Sequence, residues 1–253
     1  MIGIFDSGVG GLTVLRALKE RLPSSDILYF GDIKNAPYGE KSREKLSELT
    51  VRALEFLQKN GATSIVSACN SVSASLAVSL FDAFDIAPQH LIEMVGPTVA
   101  FFRNSPSRLL LCATPATIQS GIYQNGFAMI RKEVAAVPIP SLAGAIEFGE
   151  PGENIEELIR DAFKEIRPNE YDALILACTH YPFAADAFRN VLGPKIHLFD
   201  PADAVAQRVE RQFWPREAGD GAMRFAISKD SEHFRALVEK IFPEEEYTVE
   251  VIQ

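Results

Sequence analysis

The sequence predicts an α/β fold made of two parallel-sheet domains, and three observations predict it. Short apolar runs alternate with amphipathic helical stretches along the chain, the pattern of parallel strands joined by crossover helices. Two of these runs, Ile65–Ser73 (IVSACNSVS) and Leu174–Phe183 (LILACTHYPF), each reach an Ala-Cys pair followed by polar side chains, with Cys69 and Cys178 109 residues apart (178 − 69). A strand at Ile2–Phe5 leads into Asp6-Ser7, and a run at Leu109–Ala113 leads into Thr114, an offset of 108 (114 − 6). The segments Glu44–Cys69 and Glu153–Cys178 also align without gaps, sharing Leu49/Leu158, Ala53/Ala162 and Asn60/Asn169. We read this as a degenerate internal repeat. The two units should be related by an approximate two-fold axis, with each bringing one thiol to a strand end.

The elements follow in order. Ile2–Phe5 reads as a strand, Asp6–Gly11 (DSGVGG) as a loop, and the next stretch as a helix with Leu12, Leu15, Leu18 and Leu22 on one stripe, stopped by Pro23. Ile27–Phe30 is the second strand, and the turn-rich Asn35–Gly39 follows it. A helix over about Ser42–Asn60 buries Leu46, Leu49, Ala53, Leu54 and Leu57, with Gly61 as its C-cap. Ile65–Ala68 is a strand, a helix runs from about Val72 to Phe84, Leu91–Met94 is a strand, and Gly96-Pro97 marks a domain boundary. The second copy has strands at Leu109–Ala113, Glu133–Val137, Ala173–Ala177 and Ile196–Phe199. Its helices fall near Thr117–Ile130, Asn154–Ile166, Phe183–Leu192 and Ala202–Phe213. Two further strands near Met223–Ile227 and Tyr247–Ile252 enclose a helix, and the repeat alone does not assign this tail to either unit.

Composition narrows the function. Of 253 residues, 47% are apolar and 23% charged, ordinary for a globular protein, and no apolar run reaches the length of a membrane span. A net charge of −9 argues against a nucleic-acid surface. The N-terminus lacks the basic and apolar regions of a signal peptide, and three cysteines are too few for a disulfide framework, so a reducing cytoplasm is expected.

A free cysteine is most often a small buried hydrophobe. Cys112, inside LLLCA, fits that reading. Cys69 and Cys178 do not, because ligands in open α/β sheets sit beyond the carboxyl ends of strands. Each is followed there by hydrogen-bonding groups, Asn70-Ser71 and Thr179-His180. Zinc spacing is absent. Two opposed thiols suit proton transfer at carbon from both faces, one as thiolate base and one as thiol acid, which describes a racemase or epimerase. Asp6 would assist Cys69, and His180 would assist Cys178. Asp6–Gly11 is neither a dinucleotide fingerprint nor a P-loop. Its aspartate could pair with an ammonium group, while Ser7, the loop amides and the following helix could hold a carboxylate. Those two features together fit an amino acid.

DSGVGGLTV at Asp6–Val14, GDIKNAPYG at Gly31–Gly39, ACNSVSA at Ala68–Ala74 and ACTHYPF at Ala177–Phe183 together resemble the cofactor-independent aspartate/glutamate racemase family, in that family's order and across the whole chain. The resemblance implies two pseudo-symmetric flavodoxin-like domains, 1–96 plus 208–253 and 97–207, with the active site in the cleft between them. It implies interconversion of L- and D-glutamate without a cofactor or metal, supplying D-glutamate for peptidoglycan. Aspartate or a broader set of amino acids is the alternative substrate. Cys69 would act on the D enantiomer and Cys178 on the L, assisted by Asp6 and His180, with Glu147 near the second thiol. Substrate contacts would come from Asp6, Ser7, Tyr38, Gly39, Asn70, Ser71, Thr179 and His180, with Thr114 and Thr117 beside them. The partner is this small molecule, not nucleic acid or membrane, and a homodimer is left open. Three positions depart from the family pattern: Ile33 where a hydroxyl is usual, Ser71-Val72 in place of Thr-Ala, and Ala177 in place of a glycine. Rival readings are a non-catalytic amino-acid-binding protein, which needs neither thiol, and a one-thiol decarboxylase or isomerase, which does not need the second Cys-Thr-His.

Overall fold

A computed structural model of the protein describes residues 1–75 and 86–252. Among the described residues, ten strands form two parallel sheets. They are β1 (Ile2–Asp6), β2 (Ile27–Gly31), β3 (Ser64–Ser67), β4 (Leu91–Glu93), β5 (Leu109–Ala113), β6 (Val134–Pro138), β7 (Ala173–Ala177), β8 (His197–Phe199), β9 (Met223–Ile227) and β10 (Tyr247–Val251). The first sheet runs β10-β9-β2-β1-β3-β4 and the second β6-β5-β7-β8. Without β9 and β10, the first reads β2-β1-β3-β4, the same order as the second. Register repeats as well: β1 pairs Ile2 with Ile27 of β2, β5 pairs Leu109 with Val134 of β6, and both pairings span 25 residues (27 − 2 and 134 − 109). Every residue of β1, β2, β5 and β7 is buried, as central strands of a parallel sheet covered on both faces require.

Alternation sends each strand's side chains to two cores. Ile2 and Ile4 of β1 pack with Leu12, Leu15 and Leu18 of the helix Leu12–Arg21 and with Val205 and Val209 of the helix Pro201–Phe213. Phe5, Leu28 and Phe30 pack on the other face against Leu46, Leu49 and Leu57 of the helix Arg43–Lys59. In the second sheet Leu110, Leu174 and Leu176 face Ile159, Phe163 and Phe188, whereas Leu109, Leu111 and Ile175 face Val95, Tyr123 and Phe127. The tail joins the first sheet, because β9 pairs with β2 and β10 with β9. A division at 207/208 falls inside Pro201–Phe213, whose apolar face packs in the first core from Ala202 onward.

Local readings differ at several places. The stretch expected as one helix over Thr117–Ile130 is two, Pro115–Ser120 and Ile122–Met129, broken at Gly121, whose φ of 67° caps the first. A short helix, Leu142–Glu147, has no counterpart in the sequence reading, since six residues carry too few turns for a period. Gly96-Pro97 lies in the first turn of the helix Val95–Phe101, where proline is tolerated, and not between elements. The stretch before Ala185–Leu192 is a tight turn over Tyr181–Ala184. The helix expected over Val72–Phe84 starts at Asn70, and the part of that expectation beyond Ser75 falls outside the described residues. No helix among the described residues is long and apolar enough to cross a membrane.

Candidate active site

The carboxyl ends of the central strands meet across the two sheets. β1 ends at Asp6, β3 leads through Ala68 into Cys69, β5 leads into Thr114, and β7 leads into Cys178-Thr179-His180. Side-chain hydrogen bonds around the site tie the halves together. The Thr179 hydroxyl donates to Asp6 Oδ2 at 3.1 Å, and the Val9 amide donates to Glu147 Oε2 at 2.8 Å. Ser71 Oγ and Thr114 Oγ1 share a bond of 3.0 Å, and the Tyr123 hydroxyl donates to Asn70 Oδ1 at 2.6 Å. Between them lies a small cavity of about 10 Å³, room for about one water. Cys69, Cys178, Ser7, Tyr38, Gly39, Asn70, Ser71, Thr114, Thr179 and His180 all line it, joined by Pro37 and Ala143.

Three of the expected site residues stand behind this wall. Asp6 is fully buried and reaches the cavity only through Thr179. Glu147 holds His180 Nε2 at 2.7 Å, and Thr117 bonds the Thr114 hydroxyl at 3.1 Å. The loop amides are the clearest correction. Expected to grip a ligand carboxylate, they are already spent on internal ones, Gly8 N–H on Asp6 Oδ1 at 2.9 Å and Val9 N–H on Glu147. A buried carboxylate needs hydrogen bonds, and these amides supply one each to Asp6 and Glu147. The glycines of DSGVGG let the loop come this close. A Cβ on Gly8 would sit 2.2 Å from Glu147 Oε2, and one on Gly10 would sit 2.4 Å from Thr179 Oγ1. Asn70 Nδ2 is buried and has no partner among the described residues, an open donor at the cavity.

The two thiols sit in different electrostatic surroundings. Cys178 Sγ lies 3.7 Å from His180 Nδ1. Burial pulls His180 down, but the hydrogen bonds and charges of Cys178 and Glu147 outweigh it and hold the imidazole well above its ordinary value. The pair Glu147–His180 therefore places a cation beside Cys178. Cys69 Sγ lies 3.8 Å from the Ser7 hydroxyl and meets the Val72 backbone amide, but burial, with the Asp6 charge behind it, pushes its thiol up to about 12. Alkylation of Cys69 by iodoacetamide, followed by mass spectrometry, should therefore accelerate roughly ten-fold per pH unit through the alkaline range without levelling off. Asp6→Asn should accelerate it at any one pH. A plateau near pH 8 would contradict this electrostatic picture.

Residues that the sequence did not flag support the wall. Asp32, at the end of β2, accepts from the Tyr38 hydroxyl at 2.6 Å, from Asn35 and from Ser228 Oγ at 2.6 Å, which fixes the 33–39 loop. Ser228 thus supplies a hydroxyl at Asp32, while Ile33 turns into the core. Tyr29 donates to the Gly8 carbonyl at 2.6 Å. Tyr29 and Tyr123 lie within apolar stretches, and nothing in those stretches marks them as polar partners. Cys112 is fully buried in the second core, its sulfur 3.8 Å from the Ile175 carbonyl, the inert thiol its context predicts. Among the described residues no group of three or more His, Cys, Asp or Glu is arranged to hold a metal.

This geometry has counterparts in known proteins. The chain is 34% identical over 250 residues to the glutamate racemase of Desulforudis audaxviator, covering 93% of this chain and 91% of that protein. A crystal structure of a glutamate racemase isoform from Bacillus anthracis matches with a TM-score of 0.88 at 26% identity, over 100% of this chain and 97% of the other. The Francisella tularensis glutamate racemase, solved in complex with D-glutamate, matches with a TM-score of 0.87 at 28% identity, over 100% and 97% of the two chains. The profile of a family described as Asp/Glu/Hydantoin racemase matches residues 10–209, most of the chain, and with paired thiols at the ends of β3 and β7 the protein belongs to that racemase family.

Proposed function

We propose that the protein is a glutamate racemase that interconverts L- and D-glutamate with two thiols and no cofactor. One observation carries the mechanism: Cys69 and Cys178, at the ends of corresponding strands of the two sheets, line a single cavity. The relatives support glutamate as the substrate. One thiolate takes the Cα proton, and the electron pair left behind spreads into the adjacent carboxylate. The opposite thiol then delivers its proton to the other face, so each turnover exchanges the roles of the two sulfurs. The family resemblance assigns Cys69 to the D enantiomer and Cys178 to the L. Imidazolium His180, braced by Glu147, stands 3.7 Å from Cys178 Sγ. Asn70 Nδ2 and the hydroxyls of Ser7, Ser71 and Thr114 supply donors for the two carboxylates. Asp6, one side chain behind the wall, favours the substrate ammonium. The same reading divides the chain into two domains about a pseudo-two-fold axis, 1–96 with the tail and the intervening second sheet. It places the enzyme in the cytoplasm, supplying D-glutamate for peptidoglycan.

Circular dichroism of purified protein with each enantiomer of glutamate, then of aspartate, tests this directly. After exhaustive dialysis against a chelator and a carbonyl reagent, the signal of either glutamate enantiomer should decay to zero, with aspartate much slower. Inactivity on both amino acids, or activity restored only by pyridoxal phosphate or a metal, would overturn it.

A further inference from the structure

A cavity with room for about one water cannot admit an amino acid until it opens. A second hollow of about 390 Å³ lies against it, lined by Lys41, Arg43, Leu46, Ser71, Gln119 and Ser120 among others. Ser71 belongs to both walls. Two hydrogen bonds close the seam beside it, Ser71 Oγ with Thr114 Oγ1 at 3.0 Å and the Ala116 amide to the Gly39 carbonyl at 3.0 Å. Both run from the first half of the chain to the second, so a small separation of the halves would break the two together.

The hollow is also selective in charge. It is lined by two cations and no carboxylate, in a protein of net charge −9. The nearby charges in sequence are committed elsewhere or face solvent. Lys45 pairs with Glu48, Glu40 accepts from the Ser141 amide, and Glu44 stands exposed in the first turn of its helix. Among the described residues, no carboxylate forms an ion pair with Lys41 or Arg43. Glutamate at neutral pH carries one ammonium and two carboxylates, a net negative charge. Resting on the racemase reading above, we propose that this hollow is the antechamber of the thiol cavity. Lys41 and Arg43 draw the anionic amino acid in, and the Ser71–Thr114 and Gly39–Ala116 bonds form the door. A wall of cations focuses the field at a low-dielectric mouth and raises the local concentration of anions.

The test compares an anionic and a neutral alkylating agent on the two cavity thiols. In the double variant Lys41→Glu/Arg43→Glu, the ratio of iodoacetate to iodoacetamide labelling rates at Cys69 and Cys178 should fall about five-fold or more at low salt. Changes in thiol pKa or in how often the door opens act on both reagents alike and cancel from the ratio. The shift should shrink at high salt, as screening requires, and Lys41→Gln/Arg43→Gln should give an intermediate value. In the same samples kcat/KM for both glutamate enantiomers should fall, with kcat nearly unchanged. An unchanged ratio in a variant that still racemises glutamate overturns the antechamber and leaves the racemase reading standing. A shifted ratio in a protein that never racemised glutamate sustains an anion port and removes the substrate assignment. A loss that ignores salt, or that spares the neutral variants altogether, marks a structural defect and overturns the proposal.

Discussion

Cys69→Ser and Cys178→Ser should each lower racemisation of glutamate by on the order of 10²–10⁴-fold, the contribution of one positioned acid–base group. The loss in kcat/KM must be equal in both directions, because the two enantiomers have the same free energy in water and no catalyst can alter that equilibrium. Rates of racemisation therefore cannot say which thiol serves which enantiomer. Elimination of HCl from 3-chloroglutamate can, since it needs one deprotonation and no reprotonation from the far side. Cys69→Ser should keep elimination from the L-like enantiomer and Cys178→Ser from the D-like one. Both variants should fold, as serine is nearly isosteric and the cavity is already polar. Loss of elimination from the same enantiomer in both would refute the two-face assignment. Cys112→Ser serves as the contrast: a hydroxyl in a fully buried apolar core should lower stability and leave the chemistry intact. If that variant alone were inactive, the reading of all three cysteines would fail.

Gly8→Ala should be almost as damaging, although it adds one methyl group far from either sulfur in sequence. That methyl would lie 2.2–2.4 Å from the three carboxyl atoms of Glu147, a buried side chain pinned by the Val9 amide and His180. The carboxylate has to leave, His180 loses the anion that keeps it protonated, and the Cys178 side loses its cation. A displacement of about 1 Å in such a support costs about 10²-fold in rate. Elimination from the L-like enantiomer should fall by that order while elimination from the D-like one changes little. Shortening the obstructing group in Gly8→Ala/Glu147→Asp should recover part of the rate, which a general folding defect would not allow. Equal losses on both enantiomers would point to collapse of the loop rather than to His180.

The readable parts of this molecule were those with a repeating signal. The Ala-Cys pairs and the 109-residue spacing located the ends of β3 and β7 and anticipated the matching strand orders, because a buried parallel strand is a short apolar run whatever surrounds it. Position at the strand ends was legible for Cys69, Cys178, Ser7 and His180, which line the cavity directly. The loop Asp6–Gly11 was misjudged, since a run of amides looks the same whether it faces a ligand or a buried side chain from 138 residues away. Glu147 entered only through family resemblance, because its helix of six residues is too short to show a period. Tyr29, Tyr123 and Ser228 left no local trace at all, and Asp32 stood in a recognised motif without a role. Their roles arise from pairings between distant segments, which no window along the chain contains.

The topology has a consequence for how the protein is made. β2 is hydrogen-bonded to β1 on one side and to β9 on the other, and β9 begins 192 residues after β2 ends (223 − 31). At a synthesis rate of about 5–20 residues per second, roughly 10–40 seconds pass at the ribosome before that neighbour exists. During that interval a strand rich in Ile, Leu, Tyr and Phe has one open edge, the condition under which strands pair with wrong partners. The second sheet is translated wholly within the same interval and can complete itself first. Production yield should therefore respond more sharply to translation speed and chaperone supply across the tail than across the second sheet.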